Sequence, residues 1–136
     1  MVALARDRNT PRRQGVAFSD PVKAGVTIFA GALACIDAQG FLVPASQSPA
    51  LTARGVAQQR VTGGAGDGVI QAETWPGIYR FDAAAGLERP TRPDIGKTCF
   101  IVDDQTVART DGGGARSVAG VIEDVEPNGI WVRVGR

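Results

Sequence analysis

The sequence predicts an all-β fold: a small antiparallel β-barrel or β-sandwich built from hairpins, with an extended N-terminal arm and little helix. Two observations lead to this prediction. The 18 glycines and 8 prolines lie between short apolar runs along the chain. This distribution is typical of many short strands joined by turns. The chain also closes with two consecutive hairpin patterns, which indicate antiparallel pairing. With 136 residues, the chain is long enough to bury a core without disulfides or metals.

Residues 1–15 are predicted to form an extended arm, and residues 16–136 a single β domain. The arm carries a charge of about +3 and the remainder about −2. Pro11 interrupts any helix in the arm. Two interpretations stay open: a frayed terminus, or an arm that orders against a neighbouring subunit, with its arginines binding carboxylates. The arginines are Arg6, Arg8, Arg12 and Arg13.

Short apolar runs after the arm predict a series of strands. The runs at 32–37 and 41–43 read as a hairpin, with Ile36 and Leu42 in the core. The loop at 63–68 is rich in glycine. The complete set of predicted strands before the terminal hairpins lies at residues 18–22, 26–29, 32–37, 41–43, 54–62, 69–75 and 78–81.

Residues 69–75 alternate, so that Gln71, Glu73 and Trp75 share one face of the predicted strand. Trp75 and Trp131 are the largest apolar side chains in an aromatic-poor sequence. Both are expected to anchor the core, and an interface role is the alternative for Trp75 because it stands at a strand end. The single predicted helical turn is Ala83-Ala84-Ala85.

The first terminal hairpin joins residues 97–102 to 106–109. Asp103, Asp104 and Gln105 form its turn, because short acidic and amide side chains hydrogen-bond their own backbone there. Turn formation explains these aspartates better than a calcium loop, since the ligand order of such a loop is missing.

The second terminal hairpin joins residues 117–125 to 130–134 across Glu126-Pro127-Asn128-Gly129. Its Asn-Gly pair is a strong hairpin signal, because both residues tolerate positive φ. Glu123, Asp124 and Glu126 form an acidic cluster beside this turn. It reads either as a solvated strand edge or as a docking partner for a basic arm.

Composition argues against several classes of function. The chain has no histidine, so Ser-His-Asp and Cys-His catalysis cannot be assembled. A net charge of +1 gives no general argument for nucleic acid or an anionic membrane. No apolar run approaches the about 20 residues of a spanning helix, and no secretory signal is recognisable.

The cysteines and the glycine-rich segments carry no strong chemical motif. Cys35 and Cys99 lie in apolar runs and are expected to be buried free thiols, although a disulfide stays open. Two cysteines without histidine make a poor zinc site. The loop at 63–68 and the Gly96-Lys97-Thr98 triplet lack the spacing and following helix of a phosphate-binding loop.

Several stretches of the sequence resemble small head proteins of Mu-like tailed bacteriophages and prophages, namely the capsid decoration or cement proteins. They are Arg-Asp-Arg-Asn-Thr-Pro-Arg-Arg at 6–13, Val-Thr-Ile-Phe-Ala-Gly-Ala-Leu at 26–33, Asp-Ile-Gly-Lys-Thr at 94–98, Ile-Val-Asp-Asp-Gln-Thr-Val at 101–107 and Gly-Ile-Trp-Val at 129–132. The resemblance runs over nearly the whole chain in the same order. None of these stretches is a catalytic motif.

The resemblance implies a structural, non-enzymatic virion protein. Such a protein binds the outer surface of the expanded icosahedral capsid, bridges neighbouring major capsid protein subunits and stabilises the shell. We expect a homo-oligomer, a trimer or else a dimer, located on the capsid exterior after synthesis in the bacterial host cytoplasm. No cofactor, metal, nucleic acid, membrane or small-molecule substrate is expected.

The expected contacts with capsid protein or with a neighbouring decoration subunit fall on the arm. Trp75 is a further interface candidate. The alternative function is a virion surface module that binds host glycans or proteins, for which Trp75 is the one aromatic candidate. A carboxylate-based hydrolase is a third, weaker possibility. The arm residues expected at the interface are Arg6, Arg8, Asn9, Thr10, Pro11, Arg12 and Arg13.

Overall fold

The computed structural model of the protein describes residues 5, 6, 8 and 17–135. Within this part the chain forms short strands and two 3-10 turns, at Gly86–Glu88 and Arg92–Asp94. Most of the predicted arm therefore lies outside the described residues. The strands are β1 (Phe18–Pro21), β2 (Thr27–Ile28), β3 (Leu33–Ile36), β4 (Leu42–Pro44), β5 (Thr52–Ala57), β6 (Val61–Thr62), β7 (Gln71–Trp75), β8 (Gly77–Ala83), β9 (Thr98–Ile101), β10 (Thr106–Ala108), β11 (Val118–Glu126) and β12 (Gly129–Val134).

The strands form a sheet of five strands, a closed five-stranded barrel and a small pair. The sheet has the order β1-β7-β5-β3-β4, the barrel the order β10-β8-β12-β11-β9, and β2 pairs with β6. This arrangement confirms the prediction of an all-β fold with a small barrel. One pairing in the barrel, between β8 and β10, is parallel, which a succession of hairpins does not predict.

Both terminal hairpins form as predicted, and the second turns at Glu126-Pro127-Asn128-Gly129, as the sequence indicates. In the β9–β10 hairpin the Gln105 amide donates to the Asp103 carboxylate at 2.9 Å, as expected of a turn aspartate. In the β11–β12 hairpin Glu126 pairs directly with Gly129, so that Asn128 is one of two residues in the turn. No described residue other than glycine has a positive φ, so the turn forms without using the positive φ that asparagine tolerates.

Strand β3 is buried on both faces and separates two hydrophobic cores. Leu33 and Cys35 point into the core that the barrel encloses. Ala34 belongs to the second core, with Ile36 packed half-buried against it. Burial on both faces explains why β3 reads as an uninterrupted apolar run rather than as an alternating one. The barrel core contains Ile101, Val107, Ile122, Ile130, Val132 and Val134, all fully buried.

The structure corrects two element predictions. The alanine run at 83–85 does not form a helical turn: Ala83 ends β8, and the Ala84 amide donates to the Val107 carbonyl at 2.9 Å. Pairing with β10 thus overrides the helix propensity of alanine. The predicted strand at 54–62 is two strands, β5 and β6, separated by residues 58–60.

Two further expectations can be compared with the described residues. Cys35 and Cys99 are free and buried, as predicted, and burial raises the pKa of each thiol to about 12. Among the helical segments of the described residues, none has the length and apolar character to span a membrane.

Candidate functional site

Trp75 lies at the end of β7 and is 45% exposed, so the prediction that it anchors the core is wrong. Its face of β7 is nevertheless the predicted one, since Gln71 and Glu73 are exposed and Thr74 is buried. Trp75 pairs with Val56 of β5, and Val56 belongs to the barrel core. The core therefore reaches β5 but does not cover Trp75 on the neighbouring strand.

The indole of Trp75 is held in place at the surface. Its Nε1–H donates to the Glu73 carboxylate at 2.6 Å, and the Tyr79 hydroxyl donates to the Trp75 carbonyl at 3.0 Å. Ile78, three residues further on, is 53% exposed. We call Trp75 and Ile78 the junction patch, because they flank the connection between the five-stranded sheet and the barrel.

The chain enters the sheet beside the junction patch. Phe18, the first residue of β1, pairs with Thr74 in an antiparallel register. Continued by one position, this register puts Ala17 next to Trp75. Ala17, the described residue closest in sequence to the predicted arm's C-terminal end, thus lies beside Trp75 at one end of the sheet.

The described arm residues Arg6 and Arg8 are exposed. The other predicted interface residues lie outside the described residues, and their contacts stay a prediction. These are Asn9, Thr10, Pro11, Arg12 and Arg13.

Strand β1 is fixed to the sheet by Arg54. Gly55 pairs with Ala34 and Ala53 pairs with Cys35, so Arg54 is an extra residue in β5, as in a β-bulge. Its guanidinium binds the buried Asp20 carboxylate with Nε–Oδ2 at 2.7 Å and Nη2–Oδ1 at 3.0 Å. The same group lies 3.6 Å from the centre of the Phe18 ring, a cation–π arrangement.

A polar cleft of about 300 Å³ opens on the exposed side of β7. Its polar lining consists of Ser19, Gln58, Gln59, Gln71 and Glu73. Ser19 and Glu73 face each other across β1 and β7. No sequence pattern predicts this cleft, although the Gln58-Gln59 pair and the outward face of β7 are both visible in the sequence. The missing information was that the β5–β6 connection packs beside β7.

A wider, more open groove of about 710 Å³ lies between the start of β5 and β11. Arg116 and Arg133 line it, and each is paired: Arg116 with Glu88 at 2.9 Å and Arg133 with Glu123 at 2.6 Å. Neither guanidinium is therefore an uncompensated charge that would attract an anion into the groove.

The acidic cluster near the C-terminal hairpin is occupied by contacts within the chain. Glu123 pairs with Arg133 as above, Asp124 lies 3.5 Å from Arg92, and Glu126 accepts from the Trp131 indole. β11 pairs with β12 beside the cluster, but its pairing with β9 ends at Val121, so among the described strands the cluster has a partner on one side, in keeping with a strand edge. These contacts argue against the cluster as the dock for a basic arm.

The carboxylates of Asp94 and Glu88 hold the long loops of the barrel in place through hydrogen bonds and ion pairs. Asp94 is 4% exposed and accepts from the backbone and the hydroxyl of Thr91 at 2.8 and 2.9 Å. These bonds and the nearby Arg109 hold the pKa of Asp94 below its usual range, against the opposing effect of desolvation. Hydrogen bonds from Thr110 and then Arg116 likewise lower the pKa of Glu88.

The turn aspartates behave as local structure. Asp111 accepts from the Gly113 amide at 3.1 Å, in the same way as Asp103 accepts from Gln105. In the described part of the chain, no group of three or more cysteine, aspartate or glutamate side chains is placed to hold a metal ion.

No protein-family model matches the chain, and no curated protein or solved structure shows significant similarity to it.

Proposed function

We propose that this chain is a capsid decoration protein of a tailed bacteriophage or prophage. It binds the outer surface of the expanded icosahedral capsid, bridges neighbouring major capsid protein subunits and stabilises the shell. The proposal is supported by the resemblance of the stretches at 6–13, 26–33 and 94–107 to such proteins. It is also supported by the surface that the fold presents where the arm joins it.

The observation that carries the proposal is the exposure of the junction patch beside the start of β1. The Trp75 side chain is 45% exposed and that of Ile78 is 53% exposed. Burying this apolar surface against a partner would lower the free energy of the complex. Tryptophan is also among the side chains that dominate binding energy at protein interfaces. On this proposal the basic arm and the junction patch both contact the partner.

The geometry suits many weak contacts rather than one strong one. The junction patch is too small to form a standard interface by itself. On a capsid lattice, however, contacts repeated by a homo-oligomer, a trimer or a dimer, add up to high avidity. A protein that binds only the assembled, expanded shell opposes disassembly by mass action.

The experiment is co-sedimentation of the purified protein with expanded capsids that lack it, with unexpanded shells as the control. We expect saturable binding to expanded shells alone, together with increased resistance of those shells to heat. Deleting residues 2–13 and, separately, changing Trp75→Ser should each reduce occupancy at least tenfold.

The matched control is Leu87→Ser, because Leu87 is an apolar side chain exposed by 91% on a 3-10 turn away from the junction patch. This variant should bind as the unaltered protein does. Absence of binding to both kinds of shell would overturn the decoration function. Unchanged binding by the deletion and by Trp75→Ser would instead overturn the assignment of the contact surface.

A further inference from the structure

We infer that the polar cleft beside Trp75 is a binding site for a neutral saccharide. The inference goes beyond capsid binding and does not depend on it, because the cleft belongs to the isolated chain. It rests on three observations: the composition of the lining, the size of the cleft, and the aromatic ring that is hydrogen-bonded to Glu73, a lining residue.

The lining matches the hydrogen-bonding chemistry of sugar hydroxyls. Gln58, Gln59 and Gln71 each carry an amide that donates and accepts, as a hydroxyl does. The Glu73 carboxylate accepts, and the Ser19 hydroxyl can act in either role. A vicinal diol can thus both accept and donate hydrogen bonds along the cleft.

The lining also selects against charged ligands. None of the described residues that line the cleft is a lysine or an arginine, and Glu73 is the one charged member. A phosphate, a sulfate or a sugar carboxylate placed there would meet the Glu73 charge without a cation in the lining itself. The chemistry therefore indicates a neutral polyhydroxylated ligand.

The size of the cleft and the position of Trp75 fit a short oligosaccharide. A volume of about 300 Å³ lies at the lower end of the range for small-molecule sites, with room for about one or two sugar rings. Glu73 lines the cleft and also holds the Trp75 indole, with Nε1–Oε1 at 2.6 Å. This bond orients the ring next to a lining carboxylate, although Trp75 does not itself line the cleft, so a saccharide that extends past Glu73 would pack its apolar face against the ring.

Three contacts keep the lining in position. The Gln58 amide donates to the Val56 carbonyl at 3.0 Å, which ties the β5–β6 connection to the sheet. Ser19 and Glu73 are fixed opposite each other by the β1–β7 pairing. Arg54 secures β1 from the other side of β7 through Asp20. The cleft is therefore built from strands and their connection rather than from a loose loop.

Nuclear magnetic resonance titration of the ¹⁵N-labelled full chain tests the inference directly. The probes are neutral trisaccharides of glucose, galactose and N-acetylglucosamine, with a sialylated trisaccharide for comparison. The chain has two tryptophans, so their indole signals report on the cleft and on a remote position. We expect saturable shifts of the Trp75 indole and of the Gln59 and Gln71 amides, with Trp131 unchanged.

Site variants complete the test. Gln71→Ala and Gln59→Ala should each weaken binding at least fivefold, whereas Gln39→Ala, an exposed amide in the turn between β3 and β4, should not change it. The sialylated probe should bind at least threefold more weakly than its neutral counterpart. Absence of shifts with the whole panel at tens of millimolar would overturn the inference, as would equal binding by Gln71→Ala or shifts confined to other surfaces.

Discussion

Arg54 binds the buried carboxylate of Asp20 through two hydrogen bonds, at 2.7 Å from Nε and 3.0 Å from Nη2. The pair connects β5 to β1, which lie on opposite sides of β7. It is possible because the irregular pairing of β5 with β3 leaves Arg54 without a partner position. This contact fixes the strand at which the N-terminal segment joins the domain, and with it one wall of the polar cleft.

The change Asp20→Asn should destabilise the protein. It removes the charge that compensates Arg54, whose side chain is 30% exposed, and a partly buried guanidinium would be left unpaired. Loss of one partner of a fully buried pair costs about 3–5 kcal/mol. Because Arg54 retains partial contact with water, we expect a decrease of about 2 kcal/mol in the free energy of unfolding. Urea denaturation followed by tryptophan fluorescence measures it.

The control for this change is Asp124→Asn. Asp124 pairs with Arg92 at 3.5 Å, and the two side chains are 52% and 73% exposed. An exposed pair contributes at most about 1 kcal/mol, so the urea midpoint should move much less. If the two variants were destabilised equally, the Arg54–Asp20 contact would be no more than another surface ion pair.

The barrel loops should loosen in acid, and Asp94 should account for much of the effect. Its pKa is lowered in the folded state, chiefly by the Thr91 backbone hydrogen bond. A lowered folded-state pKa contributes stability that is present above the ordinary carboxylate pKa and is lost as pH falls through the folded value. Stability should therefore decline below about pH 4, and Asp94→Asn should flatten this decline while lowering stability near neutral pH.

The measurement is the urea midpoint as a function of pH for the unaltered protein and for Asp94→Asn. The control is Asp82→Asn, which removes one exposed carboxylate of β8 without removing a side-chain bond of the loops. The change should leave the decline of the urea midpoint at low pH as it is in the unaltered protein. A decline that is as steep in Asp94→Asn as in the unaltered protein would assign the pH dependence to other carboxylates.

The strand content follows from local pattern, and this explains why the sequence predicts it well. β3 and β4, and the two terminal hairpins, are short apolar runs separated by turn residues, and each pairs with its neighbour in the chain. The parallel pairing of β8 with β10 joins segments that are not adjacent in sequence. Turn chemistry carries no information about such a pairing. The alanine run at 83–85 therefore predicts a helical turn, although Ala83 ends β8 and Ala84 hydrogen-bonds to Val107.

The candidate site is less predictable because it depends on which strand faces are covered. Alternation along β7 predicts that Gln71, Glu73 and Trp75 share a face, and they do. It does not say which part of this sheet face the barrel core covers. The core covers Val56 on β5 but leaves Trp75, its neighbour on β7, exposed. Similarly, Gln58 and Gln59 are unremarkable in the sequence. Their role appears only when the β5–β6 connection is brought beside β7.

The two cysteines should not react in the folded protein. Burial raises the pKa of both Cys35 and Cys99 to about 12, so almost no thiolate, the reactive form, exists near neutral pH. A thiol-specific dye should label neither residue in buffer and both in urea. The variant Ser46→Cys, at an exposed loop position, provides a third thiol that should react at once. Fast labelling of the unaltered protein without denaturant would contradict the buried positions of these thiols.

Gly120 should be irreplaceable, for steric reasons rather than for conformational freedom. A Cβ atom at this position of β11 would overlap with the backbone carbonyl oxygen of Arg133 on β12 and would lie 2.9 Å from Val132 Cγ1. The obstacle is backbone within a closed barrel, so it cannot rotate away as a side chain could. Gly120→Ala should therefore cost at least about 2 kcal/mol of unfolding free energy, measured by urea denaturation.

Gly66→Ala is the matched control for Gly120→Ala. At Gly66 a Cβ atom would lie 3.5 Å from Val69 Cγ2, which is an ordinary van der Waals contact, and alanine restricts the unfolded chain more than glycine does. The change should be neutral or stabilising by less than about 1 kcal/mol. If Gly120→Ala were as well tolerated as Gly66→Ala, the result would show that β11 and β12 do not lie as close together as the closed barrel requires. Such a result would contradict the closed pairing of β11 with β12 at this position.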